Sequence, residues 1–262
     1  MIDTVTFDVW NTLVVHEFYD DRLKLHRISS IMEALRAEGY VITGEQMDAA
    51  YDYTEASLAA VWKSERDVGN DTHLALFLEG LGLDVSDALI DAIREPYSHA
   101  LLHFRPKLVD GAAELLVGLK RQGYRIGLIS NTGRTPGRTM RKVLDGYGLT
   151  KCFDAMTFSD EVCYIKPNPR IFALALDSLR AKPESTVHVG DNPLLDVYGA
   201  RACGIGAILF TKYMDRFEQY ASKYYSANGR QCEPDCRVDA LPLVEKALAR
   251  LAGRHLPGSP EK

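Results

Sequence analysis

The apolar run Val5-Thr6-Phe7 halts at Asp8 and gives way to the turn formers Asn11 and Thr12, which predicts a short strand followed by a loop. From residue 16 to residue 101 the spacing changes to threes and fours. Leu25, Ile28, Met32 and Leu35 fall on one helical face, and Gly39 follows as a stop. The same period predicts helices over 45–63, 72–81 and 86–99, the last opened by Ser86 as a capping residue, and no strand in this stretch. After Pro106 strands and helices alternate: helix 111–122, strand 125–129, helix 138–147, strand 155–158, helix 169–179, strand 186–189, helix 196–203 and strand 207–210. Parallel strands need crossover connections, so this alternation predicts a parallel sheet covered on both faces. Residues 217–230 are polar and tyrosine-rich without an assignable element, and the end beyond Gly253 reads as frayed. The expected fold is a Rossmann-like, doubly wound α/β core over 1–15 and 102–262, with an all-helical domain inserted over 16–101.

Composition narrows the function more than the fold. A chain of 262 residues, 46% of them hydrophobic, buries a substantial core and is not disordered. Its net charge of −5 comes without a long basic run to neutralise a nucleic-acid backbone or an anionic membrane, so a small-molecule partner is expected, with no nucleic acid and no membrane. No basic region precedes an apolar stretch at Met1-Ile2-Asp3-Thr4, and no segment has the apolar length of a membrane span, which predicts a cytoplasmic protein. The five cysteines form an odd set, and only Cys232 and Cys236 are close in sequence, so all five are expected reduced. Nothing in the sequence sets the oligomeric state.

In an open parallel sheet the ligand lies beyond the carboxyl ends of the strands, near the point where strand order reverses. Four polar clusters stand at such ends: Asp8 with Thr12, Ser130 with Asn131, Lys166, and Asp191 with Asp196. Taken singly, each is as well explained by a turn or a helix cap, and Asp196 in particular by the helix it opens. Taken together and in order, they resemble the four motifs of the haloacid dehalogenase superfamily. Phe7-Asp8-Val9-Trp10-Asn11-Thr12-Leu13 is similar to the first motif and Leu128-Ile129-Ser130-Asn131 to the second. Ser159-Asp160-Glu161-Val162-Cys163-Tyr164-Ile165-Lys166-Pro167 is similar to the third, and Val189-Gly190-Asp191-Asn192-Pro193-Leu194-Leu195-Asp196 to the fourth. The helical insertion between the first two motifs corresponds to what that family calls a type-one cap.

The resemblance implies Asp8 as a nucleophile that forms a covalent aspartyl intermediate, later hydrolysed by water. Thr12, Ser130, Asn131 and Lys166 would supply donors and positive charge to phosphoryl oxygens. Asp8, Asp191 and Asp196 crowd three anions into one pocket, which calls for a cation; magnesium, with its preference for carboxylate, carbonyl and water oxygens, is the expected one. The family's pattern adds the backbone carbonyl of Trp10 to that metal shell. The expected activity is that of a magnesium-dependent phosphatase acting on a small phosphate ester.

One residue departs from the pattern. Family phosphatases carry a second aspartate two positions after the nucleophile, where this chain has Trp10, and an indole cannot exchange a proton near neutrality. His16, which titrates near neutrality, is a candidate replacement as well as an ordinary hinge histidine. The 2-haloacid dehalogenases resemble this chain in having an aromatic residue there, since halide leaves unprotonated. They lack the metal-binding acid that Asp191 would provide, and Phe172 stands where a dehalogenase tyrosine is expected. A degenerate member that binds a phosphorylated ligand without turnover is the third reading. Tyr19, Tyr51, Tyr53 and Trp62 in the inserted helices could line an aromatic pocket or simply form core.

Overall fold

The computed structural model describes residues 1–16, 21–214 and 229–253. Tyr19, most of the 217–230 stretch and the end beyond Gly253 lie outside the described residues. Six parallel strands form one sheet. In chain order they are β1 (Thr4–Phe7), then, after a two-residue β2 (Val14–Val15) and β3 (Lys107–Leu108), β4 (Arg125–Ser130), β5 (Ala155–Phe158), β6 (Thr186–Gly190), β7 (Gly206–Phe210) and β8 (Cys236–Val238). The spatial order β5-β4-β1-β6-β7-β8 puts β1 between two strands reached by crossovers in opposite directions, so the reversal of order falls at β1. β2 and β3 pair antiparallel outside the sheet and tie together the two connections that lead into and out of the helical insertion.

Four helices fill that insertion: α1 (Asp21–Ala37), α2 (Gly44–Trp62), α3 (Asn70–Gly80) and α4 (Asp87–Ser98). They enclose a hydrophobic cluster of their own, built from Ile31, Leu35, Met47, Leu74, Phe77, Leu78, Ile93 and Tyr97. Their ends follow the expected chemistry. Thr43 and Gln46 close a capping box on α2, and the Ser86 hydroxyl accepts the Leu89 amide at the start of α4. The expected face of α1 holds except at its first residue: Leu35 is buried and Ile28 and Met32 pack against the cluster, while Leu25 is 60% exposed. Arg27 and Ile31 are buried beside them, and the arginine is a member that no hydrophobic pattern counts.

The remaining helices are α5 (Ala112–Arg121), α6 (Gly137–Asp145), the single turn α7 (Ser159–Val162), α8 (Pro169–Leu179), the short α9 (Gly199–Ala202) and α10 (Leu243–Ala252). The helix expected over 196–203 is present and starts three residues earlier, as a π-helical turn Pro193–Tyr198 that runs into α9. β8 and α10 were not legible. β8 is three residues long with Arg237 at its centre, too short to establish alternation.

Period-two alternation sorts the sheet's two faces. Val5, Phe7, Ile126, Leu128, Val187, Val189, Ile208 and Phe210 pack on one side, against α5, α6 and α10. Ile129, Ala207 and Leu209 pack on the other, against α8 and α9. At the centre of that second face the aliphatic pattern breaks: β1 contributes Thr6 and β6 contributes His188, both buried.

Candidate active site

Strand register sets the geometry. Phe7 pairs with Leu128 on one side and Val189 on the other. One residue past that row Asp8 leaves β1, and two past it stand Ser130 and Asp191. The Asp8 amide still donates to the Val189 carbonyl at 2.9 Å, so the carboxylate is delivered at the end of the sheet ladder rather than on a free loop. The loop beyond turns sharply at Asn11, whose φ of 56° lies in the left-handed region that asparagine tolerates better than most residues.

Lys166 Nζ is the hub. It donates to Asp8 Oδ1 at 2.6 Å and to Asp196 Oδ1 at 2.5 Å, with its own side chain 2% exposed. Asn131 holds it in place: its Nδ2 donates to the Lys166 carbonyl at 3.1 Å and its Oδ1 accepts the Lys166 amide at 2.7 Å. In this arrangement Asn131 orients the lysine's backbone. The Ser130 hydroxyl donates to the Asn131 carbonyl at 3.2 Å.

Asp196 accepts three hydrogen bonds among the described residues. Its Oδ1 also receives His188 Nε2 at 3.1 Å, and its Oδ2 accepts the Asn192 amide at 3.0 Å. Asn192, not Asp196, caps the turn, accepting the amides of Leu194 and Leu195. Gly190 makes the approach possible, since a Cβ there would sit 2.2 Å from Asp196 Cγ. His188 Nδ1 lies 2.9 Å from Thr6 Oγ1. An ionised carboxylate only accepts, so the Nε2 carries the proton and Nδ1 takes the threonine hydroxyl. Sequence reasoning missed His188 and Thr6. The available signal was two polar residues at positions where a buried parallel strand ought to be aliphatic.

Asp191 is treated differently. It is 5% exposed, and among the described residues its carboxylate receives a single side-chain bond, from Asn11 Nδ2 at 3.2 Å. Oxygen atoms of Asp8, Asp191 and Asp196 lie within 4.8 Å of one another, the one such cluster among the described residues. The electrostatics follow. Burial raises the Asp8 carboxyl, Lys166 opposes and Asp196 adds to the rise, leaving it at about 6. Burial and the neighbouring Asp8 and Asp196 push Asp191 well above the usual carboxylate range. Burial would lift Asp196 too, but Lys166 and His188 outweigh it and hold that carboxyl low. Burial would likewise depress the Lys166 ammonium, yet the two carboxylates beside it raise its pKa. Thr12 is fully buried and its Oγ1 has no hydrogen-bond partner, an orphaned donor in the loop that follows Asp8.

Trp10 is half-buried and stacks on His16 with ring centroids 5.4 Å apart and planes at 18°. Burial lowers the His16 pKa. Of the aromatic candidates in the inserted helices, Tyr51 is buried in their core, Tyr53 is 45% exposed, and Trp62 donates through Nε1 to Asp67 at 3.0 Å.

A second acid cluster lies where the inserted helices meet the sheet domain. Residues 65–67 run beside 163–165, the stretch leading into Lys166, with the Asp67 amide on the Cys163 carbonyl at 3.2 Å and the Ile165 amide on the Glu65 carbonyl at 3.3 Å. Asp67 accepts Ser159 Oγ at 2.5 Å and the Val68 amide at 2.9 Å. Asp160 accepts Thr132 Oγ1 and the Gly137 amide, each at 3.0 Å. All five cysteines are unpaired. No helix among the described residues is long and apolar enough to cross a membrane.

The family model for haloacid dehalogenase-like hydrolases matches residues 2–204. Haloacid dehalogenase-like hydrolase domain-containing protein 3 of Homo sapiens is 37% identical over 103 residues, 39% of each chain. Glyceraldehyde 3-phosphate phosphatase of Pyrococcus furiosus is 35% identical over 147 residues, 55% of this chain and 56% of that one. The chain thus spans 39% of the length of the first of these curated relatives and 56% of the second. Among solved structures, a 2-haloacid dehalogenase from Pseudomonas syringae superposes with a TM-score of 0.65 at 22% identity, over 96% of this chain and 100% of that one; the likeness is one of fold.

Proposed function

The chain belongs to the haloacid dehalogenase-like hydrolases, and on that premise we propose that it is a magnesium-dependent phosphatase of small phosphorylated metabolites, working through an aspartyl-phosphate at Asp8. The observation that carries this reading is Asp191. A buried carboxylate with one amide partner, facing Asp8, is an arrangement a divalent cation stabilises and displacement of halide does not need. The donor set fits such an ion: Asp8, Asp191 and the Trp10 carbonyl would hold it, while Asp196 is occupied by Lys166, His188 and the Asn192 amide and contributes charge. Magnesium bound there supplies the neutralisation that lets a phosphate dianion approach a carboxylate.

The chain's own residues account for the rest. Asp8 forms a bond to phosphorus as the ester P–O bond breaks and the leaving oxygen departs with the bonding pair. Water then attacks the same phosphorus, the Asp8–phosphorus bond breaks, and inorganic phosphate leaves with Asp8 restored. Lys166 and the unpartnered Thr12 hydroxyl stabilise charge on the phosphoryl oxygens. Asn131 and His188 hold Lys166 and Asp196 in register. Trp10 offers no proton to the leaving oxygen, so esters whose leaving groups need none, such as aryl and acyl phosphates, turn over fastest. The four helices of the insertion act as the cap that closes over Asp8, hinged at the β2–β3 ribbon.

That same Trp10 favours a second reading, a dehalogenase acting at carbon. Phosphate release from aryl phosphates with and without magnesium, beside chloride release from 2-chloropropionate, separates the two. Magnesium-dependent phosphate release is expected; chloride release without it would replace the first reading by the second.

A further inference from the structure

The buried arginine of α1 is the starting point. Arg27 is 6% exposed, and its Nε donates to the Tyr97 carbonyl at 2.9 Å, yet no carboxylate among the described residues lies within ion-pair distance of its guanidinium. A buried, unmatched cation is costly unless something anionic completes it. It does not stand alone. Tyr97 is fully buried with the Arg134 side chain beside its hydroxyl, and Tyr51 is 6% exposed with its hydroxyl unpartnered. The guanidinium of Arg134 lies over the Tyr51 ring at 4.9 Å, with its Nε also buried and unpartnered. Burial pushes the Tyr97 phenol up to about 12, and Arg134 and Arg27 oppose the rise. One acid enters the cluster: Glu55 takes an Arg134 nitrogen at 3.4 Å, leaving Arg27 unmatched.

The phenols are held rigidly. Phe77 packs edge-on against Tyr51 at 5.3 Å and against Tyr97 at 5.1 Å, so both hydroxyls are fixed in advance of any ligand. Their donors come from α1, α2 and α4 of the insertion, and Arg134 comes from the loop that begins at Ser130. Four residues of chain, which span at most about 14 Å, thus tie Arg134 to the end of β4.

We propose that Arg27, Arg134, Tyr51 and Tyr97 form a second anion site, which takes a carboxylate or phosphate at the far end of a substrate whose reacting phosphoryl group sits at Asp8. Placing the phosphoryl group at Asp8 rests on the phosphatase reading; the anion site itself stands on the unmatched Arg27, the orphaned Tyr51 hydroxyl and the orphaned Arg134 Nε. It makes the substrate a phosphorylated small acid or a bisphosphate rather than a neutral phosphorylated polyol.

The test uses the Asp8→Asn protein with magnesium and measures binding by calorimetry, so that turnover does not enter. Three ligands are compared: glycerol 3-phosphate, 3-phosphoglycerate and propane-1,3-diol bisphosphate. The two with a second anion are expected to bind about ten- to a hundredfold tighter than glycerol 3-phosphate, the size of charge-assisted hydrogen bonds in a buried site; the tighter of the two identifies the second group. Adding Arg27→Gln brings the ratio towards one, and adding Tyr97→Phe, which removes a single oxygen and leaves the packing intact, lowers it part of the way. Equal affinity for all three, binding of none, or a ratio unmoved by Tyr97→Phe in a protein of unchanged melting temperature would overturn the site. Phosphate release by the unmodified protein from an aryl phosphate tests the phosphatase reading separately, so either can fail alone.

Discussion

Two clusters of buried acids in this molecule make opposite use of the same chemistry. Asp67 and Asp160 lie at the junction of the helical insertion with the sheet domain, and hydroxyls, an indole and backbone amides meet their oxygens. Asp8 and Asp191 lie a short way off at the strand ends, where one lysine serves two carboxylates and Asp191 has a single amide. A buried acid whose bonds are complete fastens structure together; one whose bonds are incomplete is prepared for something that arrives from outside. Burial alone does not separate the two cases, since all four side chains are nearly inaccessible.

The sharpest way to break that contrast is to remove the hub. Lys166→Met strands Asp8 and Asp196 without their cation and is expected to cost about 3–5 kcal/mol of stability in urea titrations. Any phosphate release should fall by about 10²–10³-fold. A mild effect on both would mean that the charge network is not what holds the site. Next in size, Trp10→Asp adds an acid to the open cluster where a proton donor is missing. Turnover of an alkyl phosphate should rise by about 10²-fold, and that of an aryl phosphate less. Trp10→Ala controls for space, and equal gains from the two substitutions would make the indole a steric gate.

On the saturated side, Asp67→Asn is expected to lose about 1–3 kcal/mol through its mismatched hydrogen bonds while kcat on an aryl phosphate changes little. A large loss of kcat in a stable protein would place Asp67 in the chemistry. The smallest effect is one of pH. The folded Asp8 pKa of about 6 lies above its ordinary value, so the folded state binds the proton more tightly and metal-free stability falls as pH rises from about 4 to 6. Metal-free Asp8→Asn should therefore melt a few degrees above the unmodified protein at pH 7.5, and the gap should close as pH falls towards 4. A gap independent of pH would contradict the raised pKa.

What the sequence made legible follows the same division. The strand ends were readable because an apolar run that stops at an acid or a polar pair is a local event, and Asp8, Ser130 and Asp191 stand at such stops, while Lys166, eight residues beyond β5, was legible through the motif resemblance. The partners that complete or fail to complete each acid were not readable, because they are distant in sequence. His188 reaches Asp196 only through a turn closed by Asn192, and Asp67 meets Ser159 across 92 residues. Arg27 was hidden for a different reason: helical periodicity counts apolar side chains, and the stripe it belongs to is defined by burial. Asn131 and Asp196, expected as donor and ligand, also make bonds within the chain that the sequence did not reveal.

The central claim is that Asp8 attacks phosphorus, and mass spectrometry of the Asp8 peptide tests it most directly. Protein mixed with an aryl phosphate and magnesium is quenched in acid during turnover and digested. The account predicts a peptide heavier by one phosphoryl group, seen with magnesium, absent without it and absent from Asp8→Asn. Phosphate release that persists in Asp8→Asn, or turnover with the phosphoryl group found on another residue, would contradict it.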